Sequence, residues 1–234
     1  MSNEMEKQTE TTNVNQVEHG NGQGFLLKRK PAYDFFKRAF DITVSFLVLT
    51  IFSWLYLILA IAVKCSDGGS VFYGHPRVGK NGKQIKVYKS RSMKMNADRL
   101  QDILTPEEYA RYLVEFKLDN DPRVTKIGKF LRKTSLDELP QFWDVFVGKI
   151  SFVGPRPLME SEVNDKYGED KEKLLSVKPG IVGWWAVNGR NNATYESGER
   201  QRLELYYVEN CSAKLDLKII FKAFGAVFKR DGAK

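Results

Sequence analysis

Histidine and cysteine are scarce in this chain of 234 residues, which contains two of each. Cys65 and Cys211 are far apart and form no CxxC pair, so the sequence supports neither a disulfide framework nor a cysteine zinc site. His19 lies in a polar tail, and a Ser-His-Asp triad would therefore rest on His75 alone. A site with several histidine ligands is nearly excluded as well. Carboxylates, arginines and lysines must carry most of the chemistry.

Large apolar side chains are also few in residues 1–23, which are rich in Asn, Gln, Glu and Thr, and we predict that this tail is disordered. Its net charge is −3, against +8 for the whole chain, so the remaining residues carry +11. Such a basic body indicates an anionic partner, whether a phosphate compound, an anionic lipid surface or nucleic acid. Solubility alone would explain the same excess of lysine.

Charge is absent from residues 42–63, an apolar run of 22 residues. A helix of that length covers roughly 33 Å, enough for the core of a bilayer. Basic residues flank the run on both sides, which favours a re-entrant hairpin with both flanks on the cytoplasmic side, although a spanning helix stays open. The run lacks proline, and the Ser53-Trp54 pair at its middle is a weaker helix breaker.

The remaining sequence predicts a helix-rich α+β domain with one β-hairpin. Short apolar runs around the Asn81-Gly82 turn signal predict the hairpin. Residues 215–229 have an apolar helical face bordered by lysines, which suits either an interfacial helix on an anionic membrane or packing against the core. A strand is predicted over 182–187, and helices over 97–116 (in two pieces, the second opened by Pro106), 127–132, 139–147, 159–175, 199–208 and 215–229.

Adjacent carboxylates occur in the segment KTSLDELPQ, residues 133–141. Ser135 with Glu138 fits a capping box, or Pro140 opens the following helix. Either arrangement places Asp137 and Glu138 at a helix N-terminus, where the dipole favours carboxylates and attracts phosphate. Capping alone would also explain the pair.

Basic side chains in two other segments fit an anion site. In Gly154-Pro155-Arg156-Pro157, Pro155 and Pro157 fix the backbone on either side of Arg156, whose guanidinium can then grip a phosphate with little entropy to lose. A plain proline-rich turn is the alternative. Further cations are Lys89, Arg91 and Arg132, for which a solvated basic face is the common explanation.

These residues together indicate chemistry at phosphorus. An aspartate is ionised at neutral pH without help from histidine, and carboxylates do form aspartyl-phosphate intermediates. The obstacle is repulsion from an anionic diphosphate, about 4 kcal/mol per pair of unit charges at roughly 4 Å and an effective dielectric constant near 20. Arginines and Mg²⁺ can offset that repulsion, since Mg²⁺ binds through one or two carboxylates plus substrate phosphates.

Residues 121–157, DPRVTKIGKFLRKTSLDELPQFWDVFVGKISFVGPRP, closely resemble the signature of the bacterial sugar transferases, the monotopic polyprenyl-phosphate phosphoglycosyl transferases. The resemblance extends from about Tyr33 to the C-terminus and includes KRAFDITVS, GKNGKQIKVYKSRSM and KPGIVGWWAVNGRN. It implies a membrane-anchoring helix with its flanks over 24–68 and a cytoplasmic catalytic domain over 69–234. Members commonly have a Ser-Pro break in the membrane helix, where this chain has Ser53-Trp54.

The resemblance implies transfer of a hexose-1-phosphate from a UDP-sugar to undecaprenyl phosphate, with release of UMP, to begin a surface glycan. Asp137 would be the nucleophile and a ligand of Mg²⁺, and Glu138 would assist at the acceptor. Arg156 would bind phosphate, supported by Arg132, Lys89 and Arg91. The nucleotide or sugar would contact Asn188, Gly189 and Arg190.

Membrane lipids, but no nucleic acid, are further partners that the resemblance implies, and the expected location is the bacterial inner membrane. The segment from Gly183-Trp184-Trp185 to Tyr206-Tyr207 is similar to members that transfer galactose or glucose phosphate. Two other classes stay open. A membrane-tethered basic lipid-binding scaffold would need no carboxylate pair. A glycosidase would need two carboxylates that flank a bond from opposite faces, which adjacent helical residues do not readily provide.

Overall fold

A computed structural model describes residues 30–116, 118, 120–189 and 193–229, without the side chains at 67, 115 and 226–229. The tail of residues 1–23 lies outside this range. The helices are α1 (Pro31–Ile51), α2 (Ser53–Asp67), α3 (Leu100–Ile103), α4 (Pro106–Glu115), α5 (Lys126–Thr134), α6 (Gln141–Phe146), α7 (Glu160–Tyr167), α8 (Lys171–Leu175), α9 (Trp184–Asn188), α10 (Glu199–Asn210) and α11 (Ala213–Lys229). The strands are β1 (Phe72–Val78), β2 (Gln84–Ser90), β3 (Ser151–Val153) and β4 (Gly180–Val182). The fold is therefore helix-rich α+β, as predicted.

An antiparallel hairpin joins β1 to β2 and confirms the prediction from the Asn81-Gly82 signal. Phe72 pairs with Ser90 at the open end. At the turn, Asn81 and Gly82 have φ angles of 57° and 76°, which this dipeptide tolerates better than most. The hairpin is long enough to carry its basic residues to the α5–α6 region of the molecule.

A second, parallel pair of strands is formed by β3 and β4, with α7 and α8 in the crossover between them. Two glycines allow the close approach, because a Cβ on Gly154 or on Gly180 would collide with the backbone of the other segment. This contact fixes the start of the Gly154–Pro157 loop against β4.

The apolar run of residues 42–63 belongs to two helices, α1 and α2, which are bent by 65°. Phe52 interrupts the helix with φ −97° and ψ 13°, next to the predicted break at Ser53-Trp54. The back-bonding hydroxyl near the bend is that of Thr50, which donates to the carbonyl four residues earlier at 2.8 Å. Within the described residues, no single helix is long and apolar enough to cross a membrane, whereas the bent pair meets that criterion of length and composition as a unit.

Polar contacts attach α1 to the rest of the molecule. Arg38 donates from Nη1 and Nη2 to the carbonyls of Val145 and Phe146 at 2.7 and 2.8 Å. A cation is favoured there because the last carbonyls of a helix lack partners. Buried Asp41 accepts the N–H of Phe152 at 2.9 Å. The N-terminal half of α1 is thus hydrogen-bonded to the end of α6 and to β3.

The contacts that attach α2 to the rest of the molecule are mainly apolar. Leu59 and Val63 pack on fully buried Leu131 of α5, and the Tyr56 hydroxyl donates to the Leu139 carbonyl at 2.6 Å. The other sides of the bent pair expose large apolar side chains, among them Phe35, Phe46, Ile51, Trp54, Leu57, Ile58 and Ile61.

Two secondary-structure predictions are wrong. The strand over 182–187 ends at Val182, and α9 follows because a helical turn packs Trp184 in a stack on Tyr206, so that tertiary contacts override strand propensity. The single helix over 159–175 is split at Gly168, whose φ of 42° is not helical. Of the two alternatives for the carboxylate segment, the capping box at Ser135 does not form, and Pro140 opens the following helix as its N-cap residue.

The C-terminal helix divides its apolar residues between two environments. Leu215 and Ile219 pack in the core with Tyr207. Leu217, Phe221 and Phe224 are 51%, 73% and 59% exposed. The helix therefore packs on the core, which confirms that alternative for residues 215–229, and its exposed apolar face leaves the interfacial alternative a prediction. The side chains of Phe228 and Lys229 lie outside the described set.

Candidate active site

The carboxylate pair lies in a tight turn between two helices. Ser135 ends α5 with a φ of 57°, and the next three residues, Leu136–Glu138, form one 3₁₀ turn before Pro140 caps α6. Asp137 is buried, with its side chain 10% exposed, whereas the Glu138 side chain is 32% exposed. The two adjacent carboxylates therefore face different degrees of solvation.

Strand β2 brings Lys89 to this turn. Its Nζ donates to Glu138 Oε1 at 2.6 Å and lies 3.9 Å from Asp137 Oδ2. Burial raises the pKa of the Asp137 carboxyl, Lys89 opposes that increase, and the neighbouring Glu138 charge adds to it. Lys89 thus lies near both carboxylates and partly offsets the cost of burying a charge on Asp137.

Arg132 approaches from the last turn of α5. Its Nε donates to Ser92 Oγ at 2.9 Å, and its charge favours the ionised form of Asp137. The helix and the segment after β2 can approach closely because residue 128 is glycine; a Cβ there would collide with the Ser92 carbonyl. The predicted grouping of Lys89, Arg132 and Asp137 is therefore present in the structure.

The surroundings of His75 on β1 show that several positive charges lie close together in this region. Burial and the charges of four cations together lower its pKa to about 3, and burial is the largest cause; the cations are Arg77, Lys89, Arg132 and Arg156. His75 is neutral at physiological pH, and the four cations lie close enough to act on one point. Neither His75 nor Arg77 was predicted as a site residue, because a single histidine and a single arginine in a strand form no recognisable motif.

The Gly154–Pro157 loop is fixed by backbone hydrogen bonds to several elements. Gly154 N–H donates to the Val182 carbonyl at 3.0 Å, and the Pro155 carbonyl accepts from Gly180 N–H at 2.7 Å. Pro155 is buried and Pro157 partly so, while the Arg156 side chain is exposed, with its guanidinium 6.0 Å from the centre of the Trp185 ring. The loop is rigid and its arginine is accessible, as the two prolines predicted.

A buried carboxylate behind this loop escaped the sequence analysis. Glu204 of α10 is 1% exposed and accepts the backbone N–H of Arg156, 3.3 and 3.2 Å from its two oxygens. Burial raises its pKa to about 7, against the opposing charges of Arg200 and Arg156. The sequence offers no cue, because Arg200 and Glu204 four residues apart are typical of an exposed helical ion pair.

The remaining predicted site residues lie elsewhere. Arg91 is buried at the end of β2, where its guanidinium lies against the backbone of Gly69 just beyond α2, and a Cβ at Gly69 would collide with it. Asn188 ends α9 and accepts from Lys222 of α11. Gly189 packs against Leu203. Arg190 lies outside the described residues.

The described residues contain no group of three or more His, Cys, Asp or Glu side chains that could hold a metal ion. At this site, a metal ion would therefore have two protein carboxylates as ligands, those of Asp137 and Glu138. Asp137 and Glu138 alone fit Mg²⁺, which commonly takes one or two carboxylates and completes its octahedron with water and substrate phosphates. The donor set suits an ion that arrives with a diphosphate.

A family model described as bacterial sugar transferase matches residues 32–230. The chain belongs to the bacterial sugar transferase family. The undecaprenyl-phosphate galactose phosphotransferase of Salmonella typhimurium is 45% identical over 214 residues, which cover 90% of this chain and 44% of that protein. The exopolysaccharide production protein ExoY of Rhizobium meliloti is 42% identical over 194 residues, covering 82% of this chain and 84% of that protein.

A third relative of this bacterial sugar transferase is the UDP-glucose:undecaprenyl-phosphate glucose-1-phosphate transferase of Escherichia coli K12. It is 41% identical over 192 residues, which cover 79% of this chain and 38% of that protein. The chain spans less than half the length of several curated relatives that it matches, and most of the length of others.

Proposed function

We propose that this bacterial sugar transferase moves a hexose-1-phosphate from a UDP-sugar to undecaprenyl phosphate and releases UMP, the first step of a surface glycan such as an exopolysaccharide. The relatives named for galactose or glucose phosphate transfer to undecaprenyl phosphate support the reaction. The observation that carries the proposal is the buried Asp137 carboxylate, 3.9 Å from Lys89 and within the field of Arg132.

In the first step, an Asp137 oxygen attacks the β-phosphorus of the UDP-sugar. The bond from that phosphorus to the bridging oxygen breaks, UMP leaves with the electron pair, and the phosphosugar becomes an aspartyl ester. In the second step, a phosphate oxygen of undecaprenyl phosphate attacks the same phosphorus and restores the carboxylate. Glu138, which is more exposed than Asp137, orients the acceptor or removes its proton.

The cations lower the repulsion between Asp137 and the diphosphate. Lys89 and Arg132 act beside the carboxylate, and Arg156 acts from the Gly154–Pro157 loop, where its backbone is fixed before substrate binds. Mg²⁺, held by Asp137 and Glu138, would neutralise charge on the phosphate oxygens. Arg91 supports the end of β2, the strand that carries Lys89.

The bent pair α1–α2 anchors the domain at the cytoplasmic face of the inner membrane as a re-entrant hairpin. Three features support this topology: the 65° bend, the apolar outer sides of both helices, and the attachment of both helices to the same body. A hairpin returns the chain to the side from which it entered, which places the active site beside the phosphate of the lipid acceptor.

The product of the reaction tests the proposal. The full chain in nanodiscs with undecaprenyl phosphate and Mg²⁺ should release UMP from at least one UDP-sugar of a panel that includes UDP-galactose and UDP-glucose. Release of UDP instead would indicate cleavage at carbon, and no release from any donor would favour a scaffold. Omitting the lipid acceptor should leave the mass of one phosphosugar on the peptide that contains Asp137.

The Asp137→Asn variant removes the nucleophile with little change of shape. It should reduce UMP release to the uncatalysed background and carry no added mass, because an amide does not form the ester. The matched control is Glu199→Gln, an equivalent change at an exposed position of α10, where Glu199 pairs with Arg202. Turnover by the Asp137→Asn variant at the rate of this control would contradict a covalent aspartyl mechanism.

A further inference from the structure

Glu204 is a fully buried acid that the proposed chemistry does not use. Acidic side chains are almost never fully buried without partners, so its contacts define its role. Its two oxygens accept the backbone N–H of Arg156 at 3.3 and 3.2 Å. That N–H belongs to the one residue of the loop whose side chain is assigned to the substrate phosphate.

Hydrogen bonds to the Gly154–Pro157 loop come from two sides. On the β-sheet side, the parallel strand β4 and the residues next to it bind Gly154 and Pro155. On the helical side, the described partner of the Arg156 N–H is Glu204. Pro155 and Pro157 have no N–H, so the hydrogen bond at Arg156 is the one that ties the centre of the loop to α10.

The cation whose charge acts most strongly on Glu204 is Arg200, and Arg200 is itself packed among other side chains. Arg200, one turn earlier on α10, lies between the rings of Trp185 and Tyr195, 4.4 and 4.0 Å from their centres. Its Nη2 lies 3.6 Å from Glu162 of α7. The Trp185 ring that contacts Arg200 on one side is also the ring nearest the Arg156 guanidinium. The cluster therefore connects α7, α9 and α10 to a single loop.

We infer that Glu204 is a positioning residue, which sets the orientation of Arg156 toward the substrate diphosphate by holding its backbone N–H. The inference rests on the proposed function for the identity of the substrate. A charged acceptor makes a stronger hydrogen bond than a neutral one. A loop with this bond weakened should present its arginine less often in the orientation that binds phosphate.

Activity tests the inference through a double-mutant cycle. Glu204→Gln should lower kcat/KM for the UDP-sugar about tenfold, the effect of losing one charge-assisted hydrogen bond, while Glu199→Gln on the same helix should match wild type. In an Arg156→Lys background, Glu204→Gln should change kcat/KM less than about twofold, because its effect passes through the arginine. An equal loss in both backgrounds, or no loss in either, overturns the inference.

The pH profile provides a second signature. Burial raises the pKa of the Glu204 carboxyl to about 7. As the pH falls through that value, the carboxylate becomes protonated and is then a weaker hydrogen-bond acceptor. Wild-type kcat/KM should fall there, and Glu204→Gln should lack this limb. A limb unchanged in the variant counts against Glu204. The charged and titratable groups facing it are Arg200, Arg156, Glu162, Tyr167 and Tyr195.

Amide exchange tests the same hydrogen bond without any activity. Because Pro155 and Pro157 carry no N–H, residues 154–158 contribute three backbone amides, at Gly154, Arg156 and Leu158. Protection at Arg156 should fall at least about tenfold in Glu204→Ala and stay at the wild-type value in Glu199→Gln. Unchanged protection overturns the inference. A wild-type chain that releases no UMP from any donor contradicts the proposed function, and the exchange result still decides the role of Glu204.

Discussion

Two buried aspartates on either side of the start of α6 have opposite surroundings. The side chain of Asp144 is 0% exposed, and its oxygens accept the N–H of Tyr88 at 2.7 Å and the Nζ of Lys149 at 3.0 Å. The side chain of Asp137 is 10% exposed, and its nearest described ion-pair partner, Lys89, lies 3.9 Å away. Asp144 is held at hydrogen-bond distance, whereas Asp137 is buried with a cation just beyond it.

The contrast indicates that burial alone does not distinguish a reactive carboxylate from a structural one. Asp144 fixes β2 to α6 through the backbone of Tyr88, and Tyr88 immediately precedes Lys89. Lys89 in turn acts on Asp137. One aspartate therefore places the lysine that tunes the other, and substitutions at these positions should separate structural from chemical effects.

The largest effect after loss of the nucleophile is expected from Lys89→Met. Glu138 loses its partner at 2.6 Å, and the repulsion between Asp137 and the diphosphate is less well offset, so kcat/KM for the UDP-sugar should fall roughly 10²–10³-fold. Because Lys89 lowers the pKa of Asp137, the acid limb that remains when Glu204 is replaced by Gln should move to higher pH in Lys89→Met.

Lys86→Met is the matched control for this change. Lys86 is exposed on the same strand, and residues three apart in a strand point to opposite faces. Its loss should leave both kcat/KM and the pH profile close to wild type. In the Glu204→Gln background, an acid limb in Lys89→Met at the same pH as in that background alone would show that the lysine does not act on the nucleophile.

Smaller effects, of opposite sign, are expected on stability when each aspartate becomes asparagine. Burial raises the pKa of Asp137 in the folded chain, so wild-type stability falls as the pH rises from the unfolded toward the folded pKa. Asp137→Asn removes that loss and should raise the free energy of unfolding at pH 7 by about 1 kcal/mol. Urea denaturation at pH 7 and pH 4 measures it, and the gain should vanish at the lower pH.

Asp144→Asn should instead lower the free energy of unfolding by about 1–2 kcal/mol, since Lys149 loses its anion and one of two accepted hydrogen bonds is weakened. Its activity should stay well above that of Asp137→Asn. Changes of the same sign in both variants would remove the distinction drawn between the two aspartates.

The sequence predicted local elements well where a residue type dictates a backbone conformation. Asn81-Gly82 predicted the hairpin, and the prolines around Arg156 predicted a rigid loop. Ser135 and Gly168 were harder, because Ser135 adopts a positive φ that a serine rarely needs, and Gly168 was read as part of a continuous helix. The helix over 159–175 was wrong for that reason.

Contacts between distant residues were predictable only through the family resemblance. Lys89 and Glu138 are 49 positions apart, and nothing in either segment specifies their hydrogen bond. Glu204 and Arg156 are 48 apart, and the helical spacing of Glu204 from Arg200 indicated an exposed pair. Burial of a charged group is a property of tertiary packing, which a single amphipathic pattern does not encode.

The smallest effect is expected at the bend between α1 and α2. Trp54 occupies the first turn of α2, where a backbone N–H has no partner within the helix, and Phe52 already supplies the break. A proline there removes no helical hydrogen bond and has a suitable φ. Trp54→Pro should therefore keep wild-type UMP release in nanodiscs, and an N-terminal tag should stay protected from external protease in intact cells.

Trp54→Ala controls for the lost indole, which is 60% exposed. If Trp54→Pro lost activity or exposed the tag while Trp54→Ala did not, the bend would depend on a continuous helix through residue 54, and the re-entrant geometry proposed for this pair would be wrong.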